Sequence, residues 1–403
     1  MQRPFVMALV WFFCLGGLGI WFPLYTLYLH ENAGLSGAEV GRVMAIIPLV
    51  GVLSQPFWGQ VADRTGSRTR VLTLLAVCAG GGYLGLGLAE NFTQFLLATA
   101  LLAFFSTALI PNCVAVTLAL AHHGGPRAFG YSRVWGTVGF LLLVVGFPFA
   151  LDAWQAQRGL DLLRSSALSE PGLEIMFPLT ALVIAMGGLV ALALPRGGAV
   201  GLRAERGDWR QLASHGPYLR VVFFTLLGYL FLQGPQIFFP VFVRSHGGDV
   251  DTISRMWLPM LALEIPLVAF SGATLQRFGA RALLGIGVFA GGVRWLVCGL
   301  APDLAWVWPV QLLHGVVVAG LVIGGPLYVE QCVPQQLRST GQTSLTMLGF
   351  GLGGIVSNLA TGWFVDEYGP AAPYVVGGIG ALALGLAVPL LLPKPRKPEA
   401  PAD

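Results

Sequence analysis

The chain has 403 residues, of which 55% are hydrophobic and only 10% are charged, and its mean hydropathy is +0.74. Soluble domains carry about 25% charged residues, so this composition excludes an ordinary water-soluble fold. The net charge of +4 comes without a basic cluster that could bind nucleic acid, so we expect no nucleic acid partner. At about 20 residues per crossing, the length allows about a dozen membrane spans and no large soluble domain.

Apolar runs separated by polar or turn-forming residues predict an all-α integral membrane protein with twelve spans. The first run begins at Phe5 and is too long for a cleaved signal peptide, so we expect it to remain as a span. Ser36 and Glu39 have the spacing of a capping box at the start of the second helix. The predicted helices cover 5–29, 38–62, 70–89, 93–121, 129–151, 173–194, 217–243, 252–275, 281–300, 304–332, 338–364 and 372–392.

A longer polar connection divides these helices into six and six. We expect an N-terminal six-helix bundle over 1–195, a cytoplasmic linker over 196–216 and a C-terminal six-helix bundle over 217–392. The residues 393–403 are rich in Pro and charge, which is typical of a disordered tail.

The basic residues predict the orientation. With both termini in the cytoplasm, most of the 23 Lys and Arg residues fall inside, and only Arg158, Arg164 and Arg244 fall in outer loops. The Arg-rich, Lys-poor usage and the lack of a targeting presequence indicate a multi-pass protein of the cell inner (plasma) membrane.

A loop motif follows the second helix and is repeated, at an offset of 213 residues, after the eighth. Two parallel six-helix repeats with a binding site between them near the midplane are the architecture of the major facilitator fold. The alternative is a tight basic turn that only obeys the positive-inside rule. The first copy comprises Gly59, Asp63, Arg64, Gly66 and Arg68, and the second comprises Gly272, Gln276, Arg277, Gly279 and Arg281.

The stretch 55–68 resembles the signature loop of the major facilitator superfamily. The resemblance implies a gating loop rather than a substrate site. Asp63 can cap the next helix and pair with an Arg on the cytoplasmic face, as a latch that opens during alternation.

Three ionisable residues are predicted at membrane depth in successive helices: Glu264, Arg294 and His314. Each costs about 2.5 to 3.5 kcal/mol at a helix centre, so a functional role is expected. A carboxylate whose distance from an Arg changes can load and release a proton, which a symporter requires. The alternative is a static ion pair that only holds the helices together.

The fifth helix carries a cation, a hydroxyl and an aromatic ring on one face, because Arg133, Thr137 and Phe140 follow helical spacing. Such a face can bind an amphipathic ring compound through hydrogen bonds and stacking. The alternative assigns Arg133 to membrane anchoring and leaves Gly136 and Gly139 as packing notches.

The segment R-x-W-G-T-x-G-F from Arg133 to Phe140 resembles the fifth-helix motif of the nucleoside:proton symporter family. Looser forms occur in phenylpropionate transporters and in oligosaccharide:proton symporters of the lactose permease type. The resemblance implies nucleoside contacts for Arg133, Thr137 and Phe140. It also implies binding groups at Gln233 and Gln236 in helix seven, and a binding or coupling carboxylate at Glu264.

Arg294 and His314 resemble a pair in the lactose permease type, but other positions depart from it. Val317 and Gln311 stand where that type has Glu and Lys, and helix four offers only Asn112 in place of a sugar-binding carboxylate. These departures argue against lactose and leave Glu264 as the proton carrier. Tyr25 fits the aromatic belt and could also face the cavity.

The leading interpretation is proton-coupled symport of a nucleoside or similar small polar ring compound by alternating access. Alternatives of the same fold are a sugar or aromatic-acid transporter, a uniporter and a drug exporter. A membrane transferase is a distant alternative, because the acids of the outer loop form no catalytic cluster. We expect no enzyme activity, no metal and no cofactor besides the coupling proton, and a monomer whose partners are its substrate and the lipid bilayer.

Overall fold

A computed structural model describes residues 2–121, 125–160, 169–195, 209–269 and 271–394. Within these ranges the regular elements are all helical, which confirms the predicted class. Ten helices of the described residues are long and apolar enough to cross a membrane, so the chain is a multi-pass membrane protein. Most of the predicted linker and tail, 196–208 and 395–403, lies outside the described residues.

Six main helices form the first half. They are α1 (Gln2–Trp21), α2 (Gly37–Thr65), α3 (Arg68–Leu86), α4 (Phe92–Ala121), α5 (Gly125–Arg158) and α6 (Met176–Ala191). The chain after α1 continues as a short helix and a π-helical turn, Tyr25–Leu27 and Tyr28–Asn32, and a 3₁₀ turn, Leu173–Ile175, precedes α6.

The helices of the second half are more interrupted. They are α7 (Gly216–Ile237), α8 (Trp257–Ala269), α9 (Ser271–Leu300), α10 within 304–332, α11 within 338–368 and α12 (Ala372–Leu386). Helix α10 has four pieces: Leu304–Val310, Leu313–Val318, a π-helical Ala319–Gly324 and Gly325–Cys332. Helix α11 has three pieces: Arg338–Leu345, a π-helical Thr346–Leu352 and Gly353–Tyr368. Short helices cover Trp209–Ser214, Phe239–Ser245, Val250–Arg255 and Val388–Leu391, and a 3₁₀ turn covers Gln335–Leu337.

Helices α8 and α12 have 13 and 15 residues, which is short for a membrane crossing, so the number of twelve crossings stays a prediction. The orientation of the termini likewise stays a prediction. By their internal packing the residues form two compact units, Met1–Leu202 with Gly247–Arg255 and Arg203–His246 with Met256–Asp403. The helix Val250–Arg255 belongs to the first unit because it packs against α5.

Local sequence signals explain where several helices begin and end. The predicted capping box is confirmed, since Glu39 N donates to Ser36 Oγ at 3.2 Å and Ser36 N donates to Glu39 Oε2 at 3.0 Å. Both repeated loops turn at a glycine with positive φ, 63° at Gly66 and 75° at Gly279. The left-handed conformation favours glycine, so the same turn geometry explains why both copies of the repeated motif have glycine at this position.

Helices α1 and α5 approach so closely that only glycine fits at their crossing. A Cβ on Gly139 would overlap the carbonyl of Phe12, and one on Gly19 would lie 2.6 Å from the carbonyl of Phe140. Gly136 faces Leu15 and Trp11 in the same way. The packing-notch interpretation of Gly136 and Gly139 is therefore correct, and this crossing fixes the rotation of α5.

Replacing Gly139 by Ala should destabilise the protein. The added methyl group meets backbone rather than a movable side chain, so the steric clash should cost about 1 to 3 kcal/mol of folding stability. This cost outweighs the gain in helix propensity, which is at most about 1 kcal/mol. The matched control is Gly146→Ala in the same helix, where the new Cβ has open space. Thermal unfolding in detergent measures both; equal melting temperatures would contradict the close crossing.

Candidate functional site

Arg133, Thr137 and Phe140, called here the Arg133 face, lie on one side of α5. Arg133 Nη1 donates a hydrogen bond to Thr137 Oγ1 at 3.1 Å, as their spacing of one helical turn predicts. The guanidinium carbon of Arg133 lies 4.9 Å from the centre of the Trp11 ring, within the range of a cation–π contact. Arg133 is therefore held between a hydroxyl on its own helix and an indole on α1.

The indole of Trp11 is itself fixed. Trp11 is fully buried, and its Nε1 donates to Thr117 Oγ1 on α4 at 2.9 Å. Thr117 Oγ1 donates in turn to the carbonyl of Cys113 at 2.6 Å. Three helices thus position the Arg133 guanidinium, and all three side chains of the Arg133 face are only partly buried.

Two other predicted binding residues of the first unit make internal contacts. Tyr25 is completely buried, and its hydroxyl shares a hydrogen bond of 2.7 Å with Thr99 Oγ1. Asn112 is buried as well and donates from Nδ2 to the carbonyl of Ala108 in its own helix at 2.8 Å. Because the hydrogen bonds of Tyr25 and Asn112 are made to other residues of the first unit, we leave both out of the site proposed below.

In the second unit, Arg294 is only 1% exposed and is surrounded by acceptors from three helices. Its Nε and Nη2 both donate to Gln311 Oε1, at 2.9 and 2.6 Å, and its Nη1 donates to Gln236 Oε1 at 2.7 Å. Nη2 also lies 3.5 Å from the sulfur of Met260. Ring faces of Trp295 and Phe239, at 4.0 and 5.8 Å from the guanidinium carbon, complete the surroundings.

His314 stands between Arg294 and Glu264. Arg294 Nη1 lies 3.2 Å from His314 Nδ1, and His314 Nε2 lies 3.6 Å from Glu264 Oε2. A guanidinium has no acceptor, so Nδ1 must accept, and a neutral His314 then carries its proton on Nε2, which faces Glu264. The carboxylate is just beyond hydrogen-bond distance of this N–H.

The Arg294 cluster comprises five residues from four helices: Gln236 of α7, Glu264 of α8, Arg294 of α9, and Gln311 and His314 of α10. The acceptors that Arg294 reaches among the described residues are neutral, and the carboxylate of the cluster, Glu264, lies on the far side of the imidazole. The side chains of His314 and Glu264 are 14% and 20% exposed, so protons reach them more easily than they reach Arg294.

A glycine brings α8 and α10 together at this level. A Cβ on Gly315 would overlap the backbone of Glu264, so these helices touch directly beside His314. The sequence placed Glu264, Arg294 and His314 in successive helices, and the structure brings them into one cluster. Gln236 joins them as an acceptor, whereas Gln233 packs its Cγ toward Gly354.

Two residues that hold the arginines, Gln311 beside Arg294 and Trp11 beside Arg133, were not assigned a site role from the sequence. Gln311 is a polar residue in an apolar run, three positions before His314, and this spacing is the signal that could have found it. Trp11 carries no comparable signal, because an aromatic residue in a membrane helix is common and its contact with Arg133 depends on the rotation of α1.

The gating loop of the first unit closes on itself. Arg68 Nη2 lies 2.8 Å from Asp63 Oδ1, so the carboxylate pairs with Arg68 instead of capping α3, which begins after Ser67 without a side-chain cap. The turn at Gly66 brings Arg68 back to Asp63, and a Cβ on Gly59 would meet only open space.

In the second unit, Arg281 Nη2 donates to the carbonyl of Pro389 at 3.0 Å. The side chains of Gln276 and Arg277, and the surroundings of Gly272, lie outside the part of the chain that the structure describes. Among the described residues, no group of three or more His, Cys, Asp or Glu side chains is arranged to hold a metal ion.

Comparisons with known proteins agree with this architecture. The MFS_1 like family model matches residues 5–376. The maltose permease of Geobacillus stearothermophilus is 27% identical over 393 residues, covering 97% of this chain and 95% of that protein. The putative nucleoside transporter YegT of Escherichia coli (strain K12) is 25% identical over 379 residues, covering 88% and 84%.

The crystal structure of the nucleoside transporter NupG aligns with a TM-score of 0.79 at 17% identity, over 97% of this chain and 99% of that one. At this identity the likeness shows a shared fold. The family model matches most of the chain, including the Arg133 face and the Arg294 cluster. The chain belongs to the MFS_1 like family of membrane transporters.

Proposed function

We propose that the protein is a proton-coupled secondary transporter that takes up a nucleoside or a similar small polar ring compound by alternating access. The observation that carries this proposal is the position of His314 between the buried cation of Arg294 and the carboxylate of Glu264. A transporter that only equilibrated its substrate would have no need of an acid, an imidazole and a guanidinium at membrane depth, where each is costly.

Glu264 is the proton carrier in this proposal. When Glu264 is ionised, it balances the charge of Arg294 through the imidazole, and the cluster is neutral overall. When Glu264 takes up a proton, the buried cation of Arg294 loses its counter-charge, which raises the free energy of this arrangement. The protein can then lower its free energy by moving to a conformation in which Arg294 has other surroundings, so protonation and conformation are coupled.

The Arg133 face supplies the substrate contacts in the proposal. A guanidinium and a hydroxyl 3.1 Å apart can share the oxygens of a ribose or a base, and the ring of Phe140 can stack on a flat group. Two similar proteins bear the names of nucleoside transporters, which supports this class of compound.

A sugar is the second candidate substrate. The maltose permease resembles this chain over nearly the full length of both proteins, which favours a sugar. Against it stands the fourth helix, where the described polar side chains are amides and hydroxyls and no carboxylate occurs in α4. In α4 a sugar would therefore have to be held by neutral groups.

The remaining expectations are part of the same proposal. The protein would act as a monomer in the inner (plasma) membrane, with both termini in the cytoplasm. The pair of Asp63 and Arg68 would serve as the gating latch, opening as the protein alternates.

Replacing Glu264 by Gln should abolish accumulation driven by a proton gradient. In liposomes the ratio of inner to outer substrate concentration should fall to about one, because a carrier without its coupling ion can only equilibrate its substrate. Exchange of labelled for unlabelled substrate should persist. The control is Glu330→Gln, which changes an exposed carboxylate of the same unit that accepts from Gln342. Full accumulation by Glu264→Gln would exclude the assigned role.

Replacing Arg133 by Met should weaken substrate binding. The loss of a charged hydrogen-bond donor costs about 1.5 to 3 kcal/mol, which corresponds to about a 10- to 150-fold rise in Kd. Arg158→Met is the matched control, because Arg158 also lies in α5 and stacks on an indole, that of Trp154, at 4.3 Å.

The binding measurement for Arg133→Met is thermal stabilisation by uridine, adenosine, maltose and phenylpropionate. We expect the nucleosides to stabilise the unaltered protein and the Arg158→Met variant. Stabilisation by maltose alone would establish the second candidate, and undiminished nucleoside binding by Arg133→Met would contradict the assigned contacts.

A further inference from the structure

Three buried polar atoms of the first unit lack hydrogen bonds to the rest of the described chain. Trp21 Nε1, Tyr83 Oη and Thr180 Oγ1 have no hydrogen-bond partner among the residues that the structure describes. Trp21 is 6% exposed, and Tyr83 and Thr180 are fully buried. Buried polar groups are nearly always hydrogen-bonded to protein or to ordered water, since an unpartnered one lowers stability. Three such atoms in one unit therefore indicate a further binding partner.

The three side chains come from three helices. Trp21 is the last residue of α1, Tyr83 lies in α3 and Thr180 lies in α6. The rings of Trp21 and Tyr83 meet edge to face, with 5.4 Å between their centroids and 71° between their planes. The indole and the phenol thus share one packing layer.

The packing of α1 on α6 places Thr180 in this layer. The two helices run antiparallel, as two contacts at glycine positions show: Gly187 with Cys14, and Gly17 with Ile184. One helical turn beyond the second contact lie Trp21 on α1 and Thr180 on α6. Trp21 and Thr180 are therefore at the same level of the two helices.

The packing of α3 on α6 gives the same result. Two contacts at glycine positions show its register, which is again antiparallel: Gly80 with the carbonyl of Ala181, and Gly87 with the ring of Phe177. Tyr83 lies between the two glycines of α3, and Thr180 lies between the two contact residues of α6. All three unpartnered atoms thus belong to residues of one layer between α1, α3 and α6.

The first membrane span is interrupted at this layer. Helix α1 ends at Trp21, and helical structure resumes at Tyr25. Pro23 lies in the break and has no N–H to offer the carbonyl of Gly19, four residues earlier. Breaks in membrane helices are tolerated where neighbouring side chains or ordered waters satisfy the freed polar groups. A bound water would stabilise the span at this point.

The neighbours of the layer are largely aromatic. The ring of Tyr25 lies 4.6 Å from that of Trp21, and the ring of Phe177 lies 6.2 Å from that of Tyr25. The hydroxyls of Tyr25 and Thr99 share a hydrogen bond of 2.7 Å with each other. Because a charge buried among such rings would be costly, a ligand in this layer has to be small and uncharged.

We infer that the core of the first unit holds one water molecule, bound by Trp21, Tyr83 and Thr180. The water oxygen accepts the N–H of Trp21 and the O–H of Tyr83, and the water donates one proton to Thr180 Oγ1. These three hydrogen bonds are the usual number for a buried water. An indole N–H cannot ligate a cation, and three neutral groups cannot balance a buried anion, so water is the ligand that this set of donors and acceptors fits.

The water site is separate from the Arg133 face. Trp21 lies ten positions beyond Trp11 along α1, which corresponds to about 15 Å. Binding of water here requires neither the substrate nor the proton of the proposed transport. The water joins α1, α3 and α6 where the first span is interrupted.

Deleting either hydroxyl tests the site, because a bound water and an unpartnered hydroxyl predict opposite signs. Tyr83→Phe and Thr180→Val each remove one hydroxyl and keep the shape of the side chain. With a bound water, each variant should melt about 2 to 4 °C below the unaltered protein in detergent. Without one, the deletion relieves the cost of a buried polar group, and the melting temperature should rise or stay. A rise or an unchanged value in either variant overturns the inference.

The double variant Tyr83→Phe/Thr180→Val tests whether both hydroxyls bind the same water. The first substitution already weakens the hold on the water, so the combined loss should be smaller than the sum of the single losses. Losses that add would contradict a shared water. The control combines Tyr83→Phe with Tyr374→Phe, which deletes a buried hydroxyl of the second unit that donates to the carbonyl of Pro235. These two losses should add, because the sites lie in different units.

A crystallographic map of the unaltered protein, at a resolution that shows ordered waters, locates the ligand without any variant having to fold. We expect one peak at hydrogen-bond distance, about 2.7 to 3.2 Å, from Trp21 Nε1, Tyr83 Oη and Thr180 Oγ1. A direct hydrogen bond between Tyr83 and Thr180, or a layer without a peak, would overturn the inference whatever the melting temperatures.

Discussion

The buried positive charge of Arg294 is the constraint on which the second unit is built. A guanidinium cannot lose its proton at any physiological pH, so burial has to be offset by contacts. The structure provides four neutral acceptors and two ring faces, and it places the carboxylate of Glu264 one imidazole away. Residues of helices α7, α8, α9 and α10 thereby meet around one buried charge.

The first unit uses a different principle. There the backbones of α1 and α5 meet at glycines, and this close crossing leaves no freedom in the rotation of either helix. The rotation of α5 about its axis directs Arg133 toward the indole of Trp11. The hydrogen bond from this indole to Thr117 holds the indole against α4. A static cation between a ring and a hydroxyl suits the recognition of a substrate, whereas the Arg294 cluster, with its imidazole and carboxylate, suits the movement of a proton. In the proposed symport, the first unit would bind the substrate and the second would carry the proton.

Much of this division was accessible from the sequence. Hydropathy located the long apolar helices, and the cost of charge in a membrane singled out Glu264, Arg294 and His314, which the structure brings together. The spacing of Arg133 and Thr137 predicted their shared face. Other residues behaved differently: Tyr25 and Asn112 looked equally suitable as polar groups in apolar runs, yet both use their hydrogen bonds inside the first unit. Gln311, which the sequence offered only as a departure from a related pattern, holds the Arg294 cluster in place.

The sequence by itself determined the class of protein, the positions of most helices, the repeated glycine turns and the set of ionisable groups at membrane depth. These are properties of single segments, because hydropathy, helical spacing and the left-handed conformation of glycine act over a few residues. The tertiary structure alone decided which acceptors reach Arg294 and which indole Arg133 contacts. Those choices depend on how each helix is rotated about its axis and where it is interrupted, as at the turn before His314. Rotation and interruption are set by packing between helices, which no single segment encodes.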